Sequence, residues 1–240
     1  MAGERQAALE VRDLDTYYGR AHILHGLSLM VAEGEVVALM GRNGAGKSTC
    51  LKAIMGLVPA ARGAILLRGR PILGWPAYQI ARAGLGFVPE DRRIFTDLSV
   101  DENLEVGRRP PPEGRAAWTR ERLYVLFPNL AEISGRRADR ISGGEQQMLS
   151  LARTLMGNPT VILLDEPSEG LAPVIVEQMA SAIQALKAGG LSVLLSEQNL
   201  SFAGEIGDRA YVLESGAVKF EGPMAMLLGD ERLRRAYLSV

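Results

Sequence analysis

The sequence predicts an α/β fold with a mostly parallel sheet, a small antiparallel β layer and an inserted helical lobe. Three observations predict it. Short apolar, β-branched runs alternate with helix-forming stretches, the pattern of a parallel sheet covered on both faces. The run at 36–39 leads directly into a glycine-rich loop and a helix start. Between about residues 92 and 141 the composition shifts, and Pro110, Pro111 and Pro112 interrupt the pattern, because consecutive prolines cannot lie inside a helix.

The elements follow in order. Residues 8–11, 27–31 and 64–67 read as short, half-buried strands of the antiparallel layer. Residues 36–39, 85–88, 161–164 and 192–195 read as buried strands of the main sheet, and 49–55 as the helix after the glycine-rich loop. In the lobe, 116–127 has helical character, with Leu123, Leu126 and Phe127 on one stripe. Segments 210–214 and 217–221 flank Ser215-Gly216, a hairpin signal. The tail 224–238 reads as a final helix or helix pair.

Composition excludes several classes. The formal net charge is −1 with no basic tail, which gives nucleic acid no electrostatic footprint. Arg92 and Arg93, and Arg136, Arg137 and Arg140, read as solvated faces. Cys50 is the sole cysteine, so no intrachain disulfide can form, which fits a reducing compartment; it reads as a packed small residue. Residues 1–10 lack an apolar core of signal-peptide length, and no apolar stretch is long enough to span a bilayer.

The chemistry begins at Gly41-Arg42-Asn43-Gly44-Ala45-Gly46-Lys47-Ser48-Thr49. A strand, a glycine-rich loop and a helix start make a phosphate cradle, because glycines let backbone N–H groups turn inward without a Cβ in the way. Lys47 can reach β- and γ-phosphates, and Ser48 places a hydroxyl where Mg²⁺ would sit. A second feature is Asp165-Glu166 at the end of the run 161–164. Carboxylates at a strand's C-terminal end suit a nucleotide site in an open α/β sheet. Asp165 can hold Mg²⁺ and Glu166 can orient or deprotonate water; the plainer alternative is that these acids cap the next helix. A third feature is Ile141-Ser142-Gly143-Gly144-Glu145-Gln146-Gln147. It reads as a helix start with a capping box, and equally as an anion site, since bare glycines leave N–H groups pointing outward.

The third segment resembles the LSGGQ signature of ATP-binding cassette proteins, with Ile141 for Leu and Glu145 for Gln. With the three motifs in order, nearly the whole chain resembles one cassette ATPase subunit. The resemblance implies a single domain over 1–240, with a RecA-like phosphate-loop and β core over about 6–91 and 142–240 and the helical lobe over about 92–141. It implies ATP and Mg²⁺ as ligands, Tyr18 stacked on adenine, and Ser168-Glu169-Gly170-Leu171 as a loop communicating between subunits. ATP would lie between the phosphate loop of one subunit and Ser142, Gly143 and Gly144 of the other. That other is a second ATPase or a second copy of this chain.

Two positions depart from the family pattern. Glu90 stands where glutamine is usual; it can still ligate Mg²⁺, and it adds negative charge. Gln198 stands where a histidine usually contacts the γ-phosphate, and His22 and His25 both precede the phosphate loop. Glutamine can donate an amide N–H but cannot carry a proton between groups, which leaves Glu166 as the base. These departures, with the runs at 88–95, 145–149, 169–173, 196–199 and 235–238, resemble the ATPase of branched-chain amino-acid importers that works beside a second, different ATPase. The implied role is ATP hydrolysis coupled to uptake through permease subunits, with a solute-binding protein as indirect partner. The implied location is peripheral, on the cytoplasmic face of the inner or plasma membrane. A urea or amide importer, an exporter-type cassette and a non-transport cassette acting on ribosomes or DNA are the rival readings.

Overall fold

Val36–Met40 forms strand β3, all five residues buried, at the centre of a six-stranded sheet in the computed structural model, which describes residues 6–112 and 114–237. The sheet also contains β6 (Leu85–Val88), β7 (Val161–Asp165), β8 (Ser192–Glu197), β9 (Arg209–Glu214) and β10 (Ala217–Pro223), in the order β10-β9-β3-β8-β7-β6. All pairings are parallel except the β9–β10 hairpin. Side chains alternate between two cores. Val36, Ala38 and Met40 join one, with Ile162, Leu164, Val193 and Leu195. Val37 and Leu39 join the other, with Leu163 and Leu194. Both faces are covered, so these strands read as unbroken apolar runs.

The second core lies under a four-stranded antiparallel sheet, order β2-β1-β4-β5, built from β1 (Ala7–Tyr18), β2 (Ala21–Ala32), β4 (Ala60–Leu67) and β5 (Arg70–Pro71). The first three strands run well beyond the segments 8–11, 27–31 and 64–67. The sequence pattern understates them because the β1–β2 register slips repeatedly, for example between Val11 and Leu14. Asp13 sits in the left-handed region at φ 47° and Gly26 at φ 60°. Each slip shifts the inward-facing positions, so simple alternation is lost.

Helix α1 (Lys47–Ile54) follows the glycine-rich loop, and α2 (Ala77–Arg82) precedes β6. Between β6 and β7 come α3 (Val100–Gly107), α4 (Arg120–Leu126), α5 (Pro128–Glu132) and α6 (Gly143–Leu155). Leu104, Leu123, Phe127 and Leu130 from this region pack into the first core with Met148 and Leu151 of α6. The helical stretch expected over 116–127 is shorter. Thr119 caps α4 by accepting from the Arg122 N–H, and Phe127 breaks it at φ −128° before Pro128 restarts the helix. Helices α7 (Pro173–Ala188) and α8 (Leu200–Ile206) flank β8, and the tail is the pair α9 (Met224–Gly229) and α10 (Glu231–Tyr237). The expected tail reached Leu238, which lies outside the described residues, as do residues 1–5. Among the described residues no helix is long and apolar enough to cross a membrane.

Candidate active site

The chain leaves β3 at Met40 and turns through the glycine-rich loop into α1. Gly41 sits at φ 149°, and an added Cβ would lie 2.3 Å from the Leu213 carbonyl oxygen, so only glycine lets the loop pass β9 this closely. Gly46, at φ 107°, precedes α1 and no side chain caps that helix. Among the described residues the first-turn N–H groups of α1 therefore keep no intrahelical or side-chain partner and offer a positive helix end to an anion. Lys47 is buried. Its Nζ donates to the Gly41 carbonyl (2.8 Å) and the Arg42 carbonyl (3.3 Å), and pairs with Glu166 Oε1 at 3.0 Å.

A cleft of about 400 Å³ opens over the loop. Asn43, Gly44, Ala45, Gly46, Lys47, Ser48 and Thr49 line it, opposite Tyr18, Glu90, Glu166 and Glu169. Tyr18, at the end of β1, is half exposed there. Gly41 and Arg42 do not line the cleft but hold the Lys47 ammonium from behind.

Asp165, the last residue of β7, is buried; its Oδ1 accepts from Ser48 Oγ and Ser196 Oγ, each at 2.9 Å. Among the described residues its Oδ2 has no partner, and burial raises the carboxyl pKa while the two serine hydroxyls oppose the rise. A buried, half-satisfied carboxylate beside a serine hydroxyl fits a hard divalent cation. Glu166 follows at φ 47°, a strained conformation for a non-glycine residue that costs on the order of 1–3 kcal/mol. Its carboxylate accepts from the Gln198 N–H (3.1 Å) and from Gln198 Nε2 (3.2 Å), besides pairing with Lys47. Glu90 is exposed at the rim, and its pKa is raised by desolvation and then by the charges of Glu169, Asp165 and Glu166.

Ser142, Gly143 and Gly144 are not brought to this cleft. Ser142 caps α6: its Oγ accepts from the Glu145 N–H (3.3 Å), and Glu145 Oε2 accepts from the Ser142 N–H (2.6 Å). The capping box expected from sequence is present, and the tip is exposed.

Three residues of this region escaped the sequence reading. Ser196 is a second hydroxyl on Asp165. Glu197, the last residue of β8, is 1% exposed. Arg92 corrects the expectation of a purely solvated face. It is half-buried, its carbonyl accepts from Ser150 Oγ (2.7 Å) and Arg153 Nη2 (3.2 Å), and its guanidinium donates to Gln146 Oε1 (3.3 Å). Arginine at φ 60° carries no sequence signal for that turn.

The model of the family described as ABC transporter matches residues 24–169. The chain is 44% identical over 225 residues to the high-affinity branched-chain amino acid transport ATP-binding protein BraG of Pseudomonas aeruginosa, covering 94% of this chain and 97% of that protein. It is 34% identical to the lipopolysaccharide export system ATP-binding protein LptB of Acidithiobacillus ferridurans, over 96% of each. A solved structure described as the ATP-binding subunit of an ABC transporter superposes with a TM-score of 0.81 at 30% identity, covering 97% of this chain and 96% of that one.

Proposed function

This chain belongs to the ABC transporter ATP-binding proteins, and from that membership we propose that it drives uptake of branched-chain amino acids through a membrane permease. Its reaction is hydrolysis of ATP to ADP and phosphate, coupled to transport. The substrate class rests on one observation, the 44% identity to a branched-chain amino-acid transport subunit against 34% to a lipopolysaccharide exporter subunit.

In this reading the N–H groups at the tip of α1 and the Lys47 ammonium take the β- and γ-phosphates, and Lys47 exchanges its Glu166 partner for them. Tyr18 stacks on adenine. Ser48 and Asp165 would hold Mg²⁺, with Glu90 at the rim. When bound, the ion neutralises phosphate charge. Among the described residues no cluster of three or more His, Cys, Asp or Glu side chains stands ready for a metal, and a Mg²⁺ held by one or two protein ligands and substrate phosphates needs none. Glu166, freed from Lys47, aligns the attacking water, and the Gln198 amide marks the γ-phosphate. Ser142, Gly143 and Gly144 of a facing subunit, a second copy or a different ATPase, close over the nucleotide.

The permease seat is the groove between the core and the helical lobe (about 92–141). It has a volume of about 370 Å³, and Leu57, Phe95 and Val106 are half exposed along it. Its charged lining residues are Arg93, Arg109 and Arg153. Docked there, the subunit is peripheral on the cytoplasmic face, with the solute-binding protein across the membrane and no nucleic-acid partner.

The test is ATPase activity of the complete complex in proteoliposomes. Stimulation by binding protein loaded with leucine, isoleucine or valine is expected. Stimulation by urea or an amide alone, or by a lipopolysaccharide, would overturn the amino-acid assignment.

A further inference from the structure

We propose that Glu197 is a positioning residue whose buried carboxylate locks the inter-subunit loop 166–171 to the loop carrying Gln198, and so aims Glu166. The proposal deepens the reading of Glu166 as the base and rests on it. Glu197 ends β8 and is almost fully buried. Its Oε1 accepts from the Ser168 N–H at 3.0 Å. Its Oε2 accepts from the Gln198 N–H at 3.0 Å and the Asn199 N–H at 2.9 Å. Among the described residues no lysine, arginine or histidine pairs with it, so these N–H groups carry the stabilisation of a buried charge, an arrangement that persists only where the donors are fixed.

Two of those donors, Gln198 and Asn199, belong to the loop whose Gln198 grips the Glu166 carboxylate. The Gln198 N–H is shared with Glu166 Oε2 at 3.1 Å, and Gln198 Nε2 donates to Glu166 Oε1 at 3.2 Å. The third donor, Ser168, lies on the other side, where the Glu169 N–H donates to the Glu166 carbonyl at 3.1 Å. Glu166 itself donates its N–H to Ser196, the residue before Glu197. The carboxylate of Glu166 is thus oriented by Gln198, Gln198 by Glu197, and Glu197 by Ser168. A short side chain at 197 could reach its own loop but not across to Ser168. Displacement of 168–171, the segment the family resemblance places against the facing subunit, therefore moves the donors that aim the base. Burial raises the Glu197 pKa, and the hydrogen bonds from Ser168 and Asn199 oppose the rise.

A group that only stabilises the fold would lower the melting temperature and leave turnover per folded subunit unchanged. A group that positions the base lowers kcat and spares KM. The experiment compares the full chain with Glu197→Gln, Glu197→Ala and Glu166→Gln, measuring kcat and KM for Mg-ATP and the melting temperature. The expected result is a kcat loss of about tenfold to a hundredfold for Glu197→Ala, because misplacement by about 1 Å can cost about a hundredfold. KM is expected to stay within about threefold, as for an interaction used after binding. Glu197→Gln keeps one acceptor oxygen and is expected to fall between wild type and alanine. Wild-type kcat in Glu197→Ala, or a loss that tracks only the folded fraction or raises KM in step, overturns the proposal. Should the alanine variant not fold, the glutamine variant decides by the same criteria. Rapid turnover by Glu166→Gln would sink the base assignment itself; a dead Glu166→Gln beside a fully active Glu197→Ala would sink the positioning role alone.

Discussion

Two helix tips in this chain are capped in different ways. The tip of α1 is bare: Gly46 supplies no cap, and a buried lysine stands at the first helical position. The tip of α6 is already closed by its own residues, with Ser142 and Glu145 exchanging hydrogen bonds, and it is exposed. A bare tip with a fixed cation has unsatisfied donors and gains most when a phosphate arrives. A self-capped tip holding a carboxylate gains little from a phosphate alone, because Glu145 already serves the helix dipole. The difference teaches where affinity resides. In the proposed reading one subunit alone binds nucleotide through α1, and the α6 tip adds its share only when a second subunit presents it to ATP already bound.

The largest expected effect is on the bare side. Glu166→Gln is expected to lower kcat by roughly 10²–10⁴-fold, the usual worth of a positioned base, while ATP binding persists and the closed dimer accumulates. Single-turnover hydrolysis checks the rate, and size-exclusion chromatography with ATP checks the dimer. Undiminished turnover would remove Glu166 from its role. Lys47→Ala comes next. It deletes a charge-assisted contact worth about 1.5–3 kcal/mol, so ATP affinity is expected to fall roughly tenfold to a hundredfold. Titration with a fluorescent ATP analogue reads it. An unchanged Kd would mean the bare tip binds without its lysine, and the contrast between the tips would have to rest on capping alone.

How far the molecule was legible in advance follows the same physics. Strands β3, β7 and β8 are apolar on both faces and short, so their runs stand out in sequence. The phosphate loop and the capping box are local, and local hydrogen bonding fixes their spacing. The sequence understates the antiparallel strands β1 and β2 because their irregularities are set by pairing with a partner strand. Glu197 was illegible for a stronger reason. A carboxylate in Ser-Glu-Gln-Asn looks like any surface acid. Its burial depends on an N–H donated by Ser168, and only the sheet brings those two loops together.

The capped tip can be tested from its own side. Ser142→Ala removes the acceptor for the Glu145 N–H, which costs a helix about 1 kcal/mol. ATP affinity of the isolated subunit is expected to stay at the wild-type value, since Ser142 lies outside the phosphate-loop cleft. ATP-driven dimerisation of a Glu166→Gln background is expected to weaken by about the same energy or more, read by analytical ultracentrifugation. A large loss of monomer affinity would mean that both tips act in one subunit, and the division between them would fail.

The smallest effect concerns the acid at the rim of the bare site. Glu90 has a raised pKa in the nucleotide-free chain, through desolvation and the charges of Glu169, Asp165 and Glu166. A carboxyl whose folded pKa is raised contributes stability that is present below its ordinary value of about 4.3 and is lost as pH rises through the folded value. Glu90→Gln is therefore expected to match wild-type stability near pH 4 and exceed it at pH 7. Because Glu90 is exposed, the gain is held to a few tenths of a kcal/mol at most, roughly the worth of a screened surface pair. Thermal melting at the two pH values measures it. A variant less stable than wild type at pH 7 would mean that Glu90 is favourably engaged there, and that the bare site tolerates its negative charge without waiting for a cation.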